Sequence, residues 1–262
     1  MSSKTWIIFA TIVIIGLGGL IYLSRGDAID VSSVDNAKPI LTEEQIESVN
    51  SGLKDHIFGN PKAKSTIIVY ADYSCGGCAS FNERLKDVVS EKEYKDNVRI
   101  VHRHFPIKTI HPNSFSAAAY AEAIALQDED AFWEFSERLY KNQRDWVSAP
   151  VKDRDDLILS LTSGLDIELN QVREEAKKSE VIRKINFDGA LGRANGVQAT
   201  PTIFIDGKTA DTNEISDAPA LRKALDASIK KSGVAEKSEQ KNEVKKSDTD
   251  KSKDKTKSEN KE

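Results

Sequence analysis

The chain has 262 residues, of which 38 are Lys or Arg and 42 are Asp or Glu, so its formal net charge is -4. With 39% hydrophobic residues, the chain can bury the core of one large domain or two small domains. The slight acidity argues against a nucleic-acid-binding protein, which would show a basic surface. The count of 2 Cys excludes a small scaffold held together by several disulfides.

Residues 6–23 form an apolar run without a charged side chain, and Lys4 precedes it. As a helix the run spans about 27 Å, close to the hydrocarbon thickness of a bilayer, about 30 Å. We expect a transmembrane anchor, with residues 1–5 in the cytoplasm and the rest of the chain outside the cell membrane. The alternative is a cleaved signal peptide, since residues 26–28 offer small side chains for a cleavage site, and the mature protein would then be secreted.

The composition divides the remaining chain into three parts. Residues 24–54 are interpreted as a linker, and residues 55–231 as the globular domain. Residues 232–262 consist mainly of Lys, Asp, Glu and Ser. Such a segment buries too little apolar surface to offset the entropy of ordering, so we predict a disordered, charged tail.

The globular domain begins with the pattern of a strand, a helix and a second strand. Residues 65–71 form a short, β-rich apolar run that is typical of a strand buried on both faces. Apolar residues at helical spacing follow from Gly76 to about Ser90, and residues 98–105 indicate another strand. A crossover of this length predicts that the two strands are parallel.

Helical patterns dominate the next part of the domain, and we predict a helical insertion at about 114–180. Residues 202–205 then predict a strand, Asp206-Gly207 is a hairpin signal, and residues 218–231 predict the last helix. This order predicts an α/β domain in which helices pack on a central sheet.

Cys75 and Cys78 stand where the first strand gives way to its helix, with Gly76 and Gly77 between them. In a helix, residues at this spacing have Cα atoms about 5 Å apart, within the disulfide range of about 4.4–6.8 Å. The helix N-terminus favours an anion, so the pKa of Cys75 is expected below about 8.5, which makes Cys75 the nucleophile. Cys78 is then the more buried, resolving thiol of a redox-active disulfide.

A metal site is the alternative interpretation of the two cysteines, with His102 and His104 as further ligands. A strand places these histidines two residues apart, whereas zinc fingers use a spacing of about three to five. We therefore interpret them as strand residues, and we interpret His56 and His111 as isolated side chains without a partner motif. No metal and no cofactor is expected.

Thr200 and Pro201 come directly before the strand predicted at 202–205. Proline is poorly tolerated inside a sheet, so this one is expected to have a special role. An ordinary trans bond is the simple interpretation. A cis bond would instead expose the backbone of Thr200 beside Cys75, where an extended polypeptide could pair with it. We predict that Thr200 and Pro201 bind the substrate.

Taken together, these residues resemble the DsbA-like thiol–disulfide oxidoreductases of the thioredoxin superfamily. The resemblance runs from Asp55 to about Lys231. It rests on residues 70–78 with Cys-Gly-Gly-Cys, on Arg103-His104-Phe105-Pro106, on Phe132-Trp133 and on Ala199-Thr200-Pro201-Thr202. It implies a thioredoxin-like fold with a helical insertion, a cis Pro201, and Cys75 and Cys78 as the nucleophilic and resolving thiols.

The resemblance also implies partners: exported polypeptides as substrates, and a membrane redox partner that is either a quinone-linked oxidase or an electron donor. Two departures from the family pattern leave the direction of electron flow open. Family members often carry an acid six residues before the first Cys, where this chain has Val69. Strongly oxidising members carry Pro-His between the cysteines, whereas Gly76 and Gly77 supply no imidazole. A reductase or isomerase, or a non-catalytic envelope module that binds metal, remains an alternative to an oxidase.

Overall fold

The computed structural model describes residues 31, 34 and 54–233. The predicted anchor at 6–23, nearly all of the predicted linker and the predicted tail beyond 233 lie outside the described residues. Among the residues that are described, no helix combines the length and apolar character needed to cross a membrane.

The domain is built on a five-stranded sheet with the order β1-β3-β2-β4-β5. Strands β2 and β3 are parallel, as the crossover predicted, and the other neighbouring pairs are antiparallel. All of β2 is buried, as expected for a continuous apolar run at the centre of a sheet. The strands are β1 His56–Gly59, β2 Ser65–Ala71, β3 Val98–His104, β4 Thr202–Ile205 and β5 Lys208–Thr209.

Helices occupy most of the chain between β3 and β4, which confirms the predicted thioredoxin-like α/β fold with additional helices. The helices are α1 Gly76–Val89, α2 Lys92–Lys95, α3 Ser114–Ala125, α4 Glu129–Lys141, α5 Gln143–Trp146, α6 Val151–Ser160, α7 Leu169–Glu175, α8 Ser179–Ala194 and α9 218–233. A short 3-10 turn, Thr212–Glu214, precedes α9.

Three features of the elements differ from the sequence prediction. The helical region predicted at about 114–180 is interrupted between α7 and α8, because Lys178 has an extended backbone with φ -70° and ψ 148°, and α8 continues to Ala194. Strand β1 and the short helices α2 and α5 were not predicted. Helix α9 reaches residue 233, two residues beyond the predicted end of the domain.

The two faces of the sheet pack against different helices, because side chains alternate along a strand. Val69 and Ala71 of β2 belong to the larger core, which also contains Cys78 and residues of α3 and α4. Tyr70 belongs to the opposite face. There α8 approaches closely at Gly192, where a Cβ atom would lie 2.9 Å from the Phe105 ring.

A buried ion pair joins the start of the domain to β3. Arg103 Nε donates to Asp55 Oδ1 at 3.0 Å, and Arg103 Nη2 donates to Asp55 Oδ2 at 2.8 Å. A third donor of the guanidinium, Nη1, bonds the Tyr70 hydroxyl at 3.0 Å. Both charged side chains are almost fully shielded from water, with exposures of 0% and 1%, so their attraction offsets part of the free-energy cost of burying them.

We expect Asp55→Asn to lower the free energy of unfolding by about 3–5 kcal/mol, because it removes the charge of a carboxylate that pairs with a buried guanidinium. Urea titration of both proteins measures this change. The control is Glu174→Gln, which breaks an exposed pair with Lys177 and is expected to cost less than about 1 kcal/mol. Equal losses in the free energy of unfolding would show that the buried pair stabilises the fold no more than the exposed pair does.

Candidate active site

Cys75 is the N-cap residue of α1, and Cys78 lies within the first turn of that helix. The Cys75 backbone is extended, with φ -83° and ψ 120°, so the chain turns into the helix at this residue. Both cysteines are free thiols; Cys75 is half-buried, whereas Cys78 is only 2% exposed. A substrate therefore has access to the sulfur of Cys75 and not to that of Cys78.

The environment separates the acidities of the two thiols. A hydrogen bond from the Cys78 thiol is the largest cause that lowers the pKa of Cys75, to about 5; burial opposes it, and backbone N–H groups of Cys78 and Gly77 add to the lowering. The same hydrogen bond, together with burial, raises the pKa of Cys78. At neutral pH Cys75 is therefore a thiolate and Cys78 remains a thiol.

The segment that precedes β4 lies directly against Cys75. The peptide bond between Thr200 and Pro201 is cis, as the resemblance implied. As a thiol, Cys75 donates to the Thr200 carbonyl at 3.3 Å. The structure thus brings together all four residues predicted for the site.

The two glycines between the cysteines have different surroundings. A Cβ atom at Gly77 would lie 3.3 Å from Pro201 Cδ and 3.7 Å from Cys75 Sγ, whereas a Cβ at Gly76 would meet nothing within 4 Å. The absence of a side chain at Gly77 allows the helix start to approach Pro201 closely. Gly76 leaves open space at the start of α1.

Asp72 fixes the loop between β2 and α1. Its Oδ1 accepts a hydrogen bond from the Ser74 backbone N–H at 2.8 Å, an Asx-type turn, and its Oδ2 accepts from the Ile107 N–H at 2.8 Å. Its own N–H faces Cys78 Sγ at 3.5 Å. His111 Nδ1 contacts the same carboxylate at 2.9 Å, so the prediction that His111 is isolated was wrong.

Gln143, at the start of α5, holds the same loop from the helical side. Its side-chain N–H group donates to the carbonyls of Tyr73 at 2.7 Å and Cys75 at 3.0 Å. Sequence reasoning missed this residue, because α5 is only one turn long and a polar Gln gives no motif. The Asx pattern of Asp72 and Ser74 is a signal that could have been found.

A cluster of imidazoles and carboxylates lies buried between the sheet and the helices α3 and α4. His102 and His104 are strand residues, as predicted. His56 is not isolated, contrary to the prediction: its Nε2 is 3.0 Å from Glu122 Oε1 and its Nδ1 is 3.0 Å from Glu129 Oε1. Burial alone would lower the pKa of His56, but Glu122 and Glu129 outweigh it and raise the pKa to about 9.

Part of this cluster has the composition of a metal site. Among the described residues, one group has ligand atoms close enough to hold an ion: His56, His104 and Glu122, within 4.8 Å of one another. Both imidazoles face the same carboxylate oxygen, and Lys184 Nζ lies 3.9 Å from it, so protein groups already surround this carboxylate. The cysteines are not members of the group, so the described residues do not assemble the Cys and His metal site that the sequence left open.

Comparison with known proteins places the chain in a family. Residues 51–227 match the family model described as Thioredoxin. A protein named "Na(+)/H(+) antiporter NhaA 1" from Mycolicibacterium gilvum is 32% identical over 174 residues, which cover 66% of this chain. The chain spans only 26% of that curated relative's length.

Two further similar proteins come from Bacillus species, and one of them is named for disulfide bond formation. The "Probable disulfide bond formation protein D" of Bacillus cereus is 26% identical over 181 residues, covering 66% of this chain and 78% of that protein. The crystal structure of oxidised BdbD from Bacillus subtilis aligns with a TM-score of 0.58 at 24% identity, over 67% of this chain and 93% of that one. Because the Thioredoxin model matches more than half of the residues, the chain belongs to the thioredoxin family and has the fold of its DsbA-like members.

Proposed function

We propose that the protein is a thiol–disulfide oxidoreductase that forms disulfides in exported polypeptides through the pair Cys75 and Cys78. The observation that carries this proposal is the separation of the two thiol pKa values. One sulfur is accessible and ionised at neutral pH, and its partner one helical turn away is buried and protonated. The name of the Bacillus cereus relative supports the same chemistry.

The reaction has two exchange steps. In the oxidised enzyme, a substrate thiolate attacks Cys75 Sγ, the Cys75–Cys78 bond breaks, and Cys78 leaves and takes up a proton. A second substrate thiolate then attacks its partner sulfur in the mixed disulfide and displaces Cys75 as a thiolate. The substrate loses two electrons, which the cysteine pair gains, and a membrane redox partner, in our proposal a quinone-linked oxidase, removes them.

The depressed pKa of Cys75 supports oxidation rather than reduction of substrates. The thiolate exists only in the reduced enzyme, so its stabilisation favours the reduced form and makes the disulfide more oxidising. Because the folded-state pKa of Cys75 lies below the value of an unfolded thiol, this stabilisation is fully present above about pH 8.5. It is lost as the pH falls through about 5.

The proposed location follows from the residues that precede the domain. The apolar run at 6–23 would anchor the chain in the cell membrane, with the catalytic domain outside the cytoplasm. Exported polypeptides would then reach Cys75 along the backbone of Thr200 and the open space beside Gly76.

Replacing Cys78 by Ser is expected to trap substrates. Without the resolving thiol, a mixed disulfide at Cys75 has no intramolecular route of release, so covalent adducts accumulate. Non-reducing gels followed by mass spectrometry of adducts on the tethered protein measure this, with Cys75→Ser as the matched control. Trapping by the Cys75→Ser protein instead would reverse the assigned roles.

The rate at which iodoacetamide alkylates reduced Cys75 is expected to stay nearly constant from pH 8 to pH 6 and to halve near pH 5, because only the thiolate reacts and the pKa of Cys75 is about 5. Replacing Cys78 by Ala removes the hydrogen bond from the Cys78 thiol and is expected to raise the midpoint. A wild-type midpoint near pH 8.5 would contradict the assigned thiolate.

Equilibration with glutathione measures the reduction potential of the pair. We expect a value clearly above that of thioredoxin, about -270 mV, and towards that of DsbA, about -120 mV. A value at the thioredoxin end would contradict the oxidase and favour the reductase alternative, while the Cys78→Ser trapping result would stand.

A further inference from the structure

The buried thiol of Cys78 raises a question about its proton. Cys78 is only 2% exposed, and in either direction of exchange its sulfur must lose or gain a proton. The family position that often carries a buried acid for this purpose is Val69, which can neither accept nor donate. Another group must therefore exchange the proton of Cys78 with water.

The register of the sheet places an imidazole next to Val69, at the position where family members often carry the acid. Val69 of β2 pairs with His102 of the parallel strand β3. Both side chains line a cavity that also reaches Cys78, Ser136 and Tyr140. The cavity gives water about 40 Å³ of space, and a single water needs roughly 10–15 Å³. The cavity that both side chains line therefore has room for a water molecule.

From His102, a continuous series of polar contacts leads to the surface. His102 Nε2 is 3.3 Å from His104 Nδ1. His104 Nε2 lies 2.8 Å from Glu122 Oε1 without a formed hydrogen bond, so the ring must reorient slightly to complete this link. The same oxygen is 3.0 Å from His56 Nε2, and His56 Nδ1 is 3.0 Å from Glu129 Oε1. The first four side chains are buried, whereas that of Glu129 is 34% exposed. The cluster thus connects the cavity with solvent.

We propose that His102 accepts and returns the proton of Cys78 through a water in the shared cavity, and that the series from His104 to Glu129 carries this proton to solvent. The inference rests on the proposed function of the cysteine pair and deepens it. His102 acts through water and lines no substrate surface, so it is a positioning and relay residue for the exchange at Cys78.

The step is balanced in the resolution of a mixed disulfide. Cys78 gives its proton to the bridging water as the water gives one to His102 Nδ1, and His102 passes the proton on Nε2 to His104. The Cys78 thiolate attacks Cys75 Sγ, the disulfide between the two cysteines forms, and the substrate leaves as a thiolate. No electrons enter or leave beyond those of the two disulfides. In the reverse direction the proton returns along the same path.

Charged groups from several elements surround His102 and decide its protonation state. Burial is the largest cause that lowers the pKa of His102 well below its usual value; the charges of His104, His56 and Lys184 add to this, and Glu122 opposes it. His102 is therefore neutral at physiological pH, and a neutral imidazole relays a proton by accepting at one nitrogen and donating from the other. The titratable groups around it are Tyr73 before α1, Cys78 on α1, His104 on β3, His56 on β1, Glu122 on α3, Glu137 and Tyr140 on α4, and Lys184 on α8.

The reaction of the reduced protein with dithiobis-nitrobenzoate separates the two cysteines in one experiment. Cys75 attacks first and releases one thionitrobenzoate, and Cys78 then attacks Cys75 Sγ and releases the second. His102→Gln keeps a polar side chain but cannot exchange a proton between two nitrogens. We expect the first phase to be unchanged and the second to slow by roughly a hundredfold, the lower range for a positioned proton acceptor.

The pH profile distinguishes a relay from a purely structural role. In the wild type, the second phase is expected to vary little between pH 6 and pH 8. In His102→Gln it should rise by about tenfold per pH unit, because hydroxide must replace the imidazole. Adding Val69→Glu to His102→Gln restores an acceptor at the family position and should recover the second phase. Ile100→Val, which alters an apolar wall of the same cavity, should change neither phase.

Glu129→Gln keeps the test decisive if the buried variants fail to fold, since this side chain is partly exposed. It removes the outermost acceptor and is expected to slow the second phase and leave the first unchanged. An unchanged second phase in both His102→Gln and Glu129→Gln would overturn the relay. Absence of the first phase in the wild type would instead contradict the proposed function itself.

Discussion

The hydrogen bond between the two cysteine thiols is the interaction on which the chemistry of this fold depends. It stabilises the anion on Cys75 and at the same time holds the proton on Cys78. A single contact therefore makes the first sulfur reactive and keeps the second protonated. The contact requires that α1 begin at Cys75, because only there do the first backbone N–H groups of the helix also point at the sulfur. The rest of the domain serves to fix this helix start.

Three distant parts of the chain fix that helix start from three directions. Asp72 ties the loop to the segment after β3 through the N–H of Ile107. Gln143 bonds two carbonyls of the loop from α5. The Thr200 carbonyl closes the site from the segment before β4. These tethers come from sequence positions more than thirty residues from Cys75, so the geometry of the site depends on the packing of the sheet and the additional helices. This explains why the oxidoreductase core tolerates a large helical region between β3 and β4: that region supplies part of the site.

The parts of this structure that sequence predicted are those governed by local patterns. The bounds of β2, the parallel pairing of β2 and β3, the hairpin at Asp206-Gly207 and the cysteines at the start of α1 all follow from hydrophobic period, crossover length and turn chemistry. The parts that escaped prediction depend on long-range contacts. Gln143 has no motif, and the pairing of His56 with Glu122 joins residues that are 66 positions apart. Two histidines that look isolated along the chain therefore become members of networks only when β1 and the segment after β3 are in place.

Gly76 and Gly77 determine which groups stabilise the Cys75 thiolate, and this stabilisation bears on the direction of electron flow. Without an imidazole between the cysteines, the Cys75 thiolate depends on the Cys78 thiol, on backbone N–H groups and on Thr200, all of which are fixed by the fold. The Cys78 thiol and the backbone N–H groups stabilise the anion without any side chain at Gly76, so the space at that position stays open. A histidine in this loop would have stabilised the anion further and would also have narrowed the approach to Cys75. The glycine pair therefore gives up part of the stabilisation of the thiolate in exchange for access to Cys75, which is compatible with the oxidase that we propose.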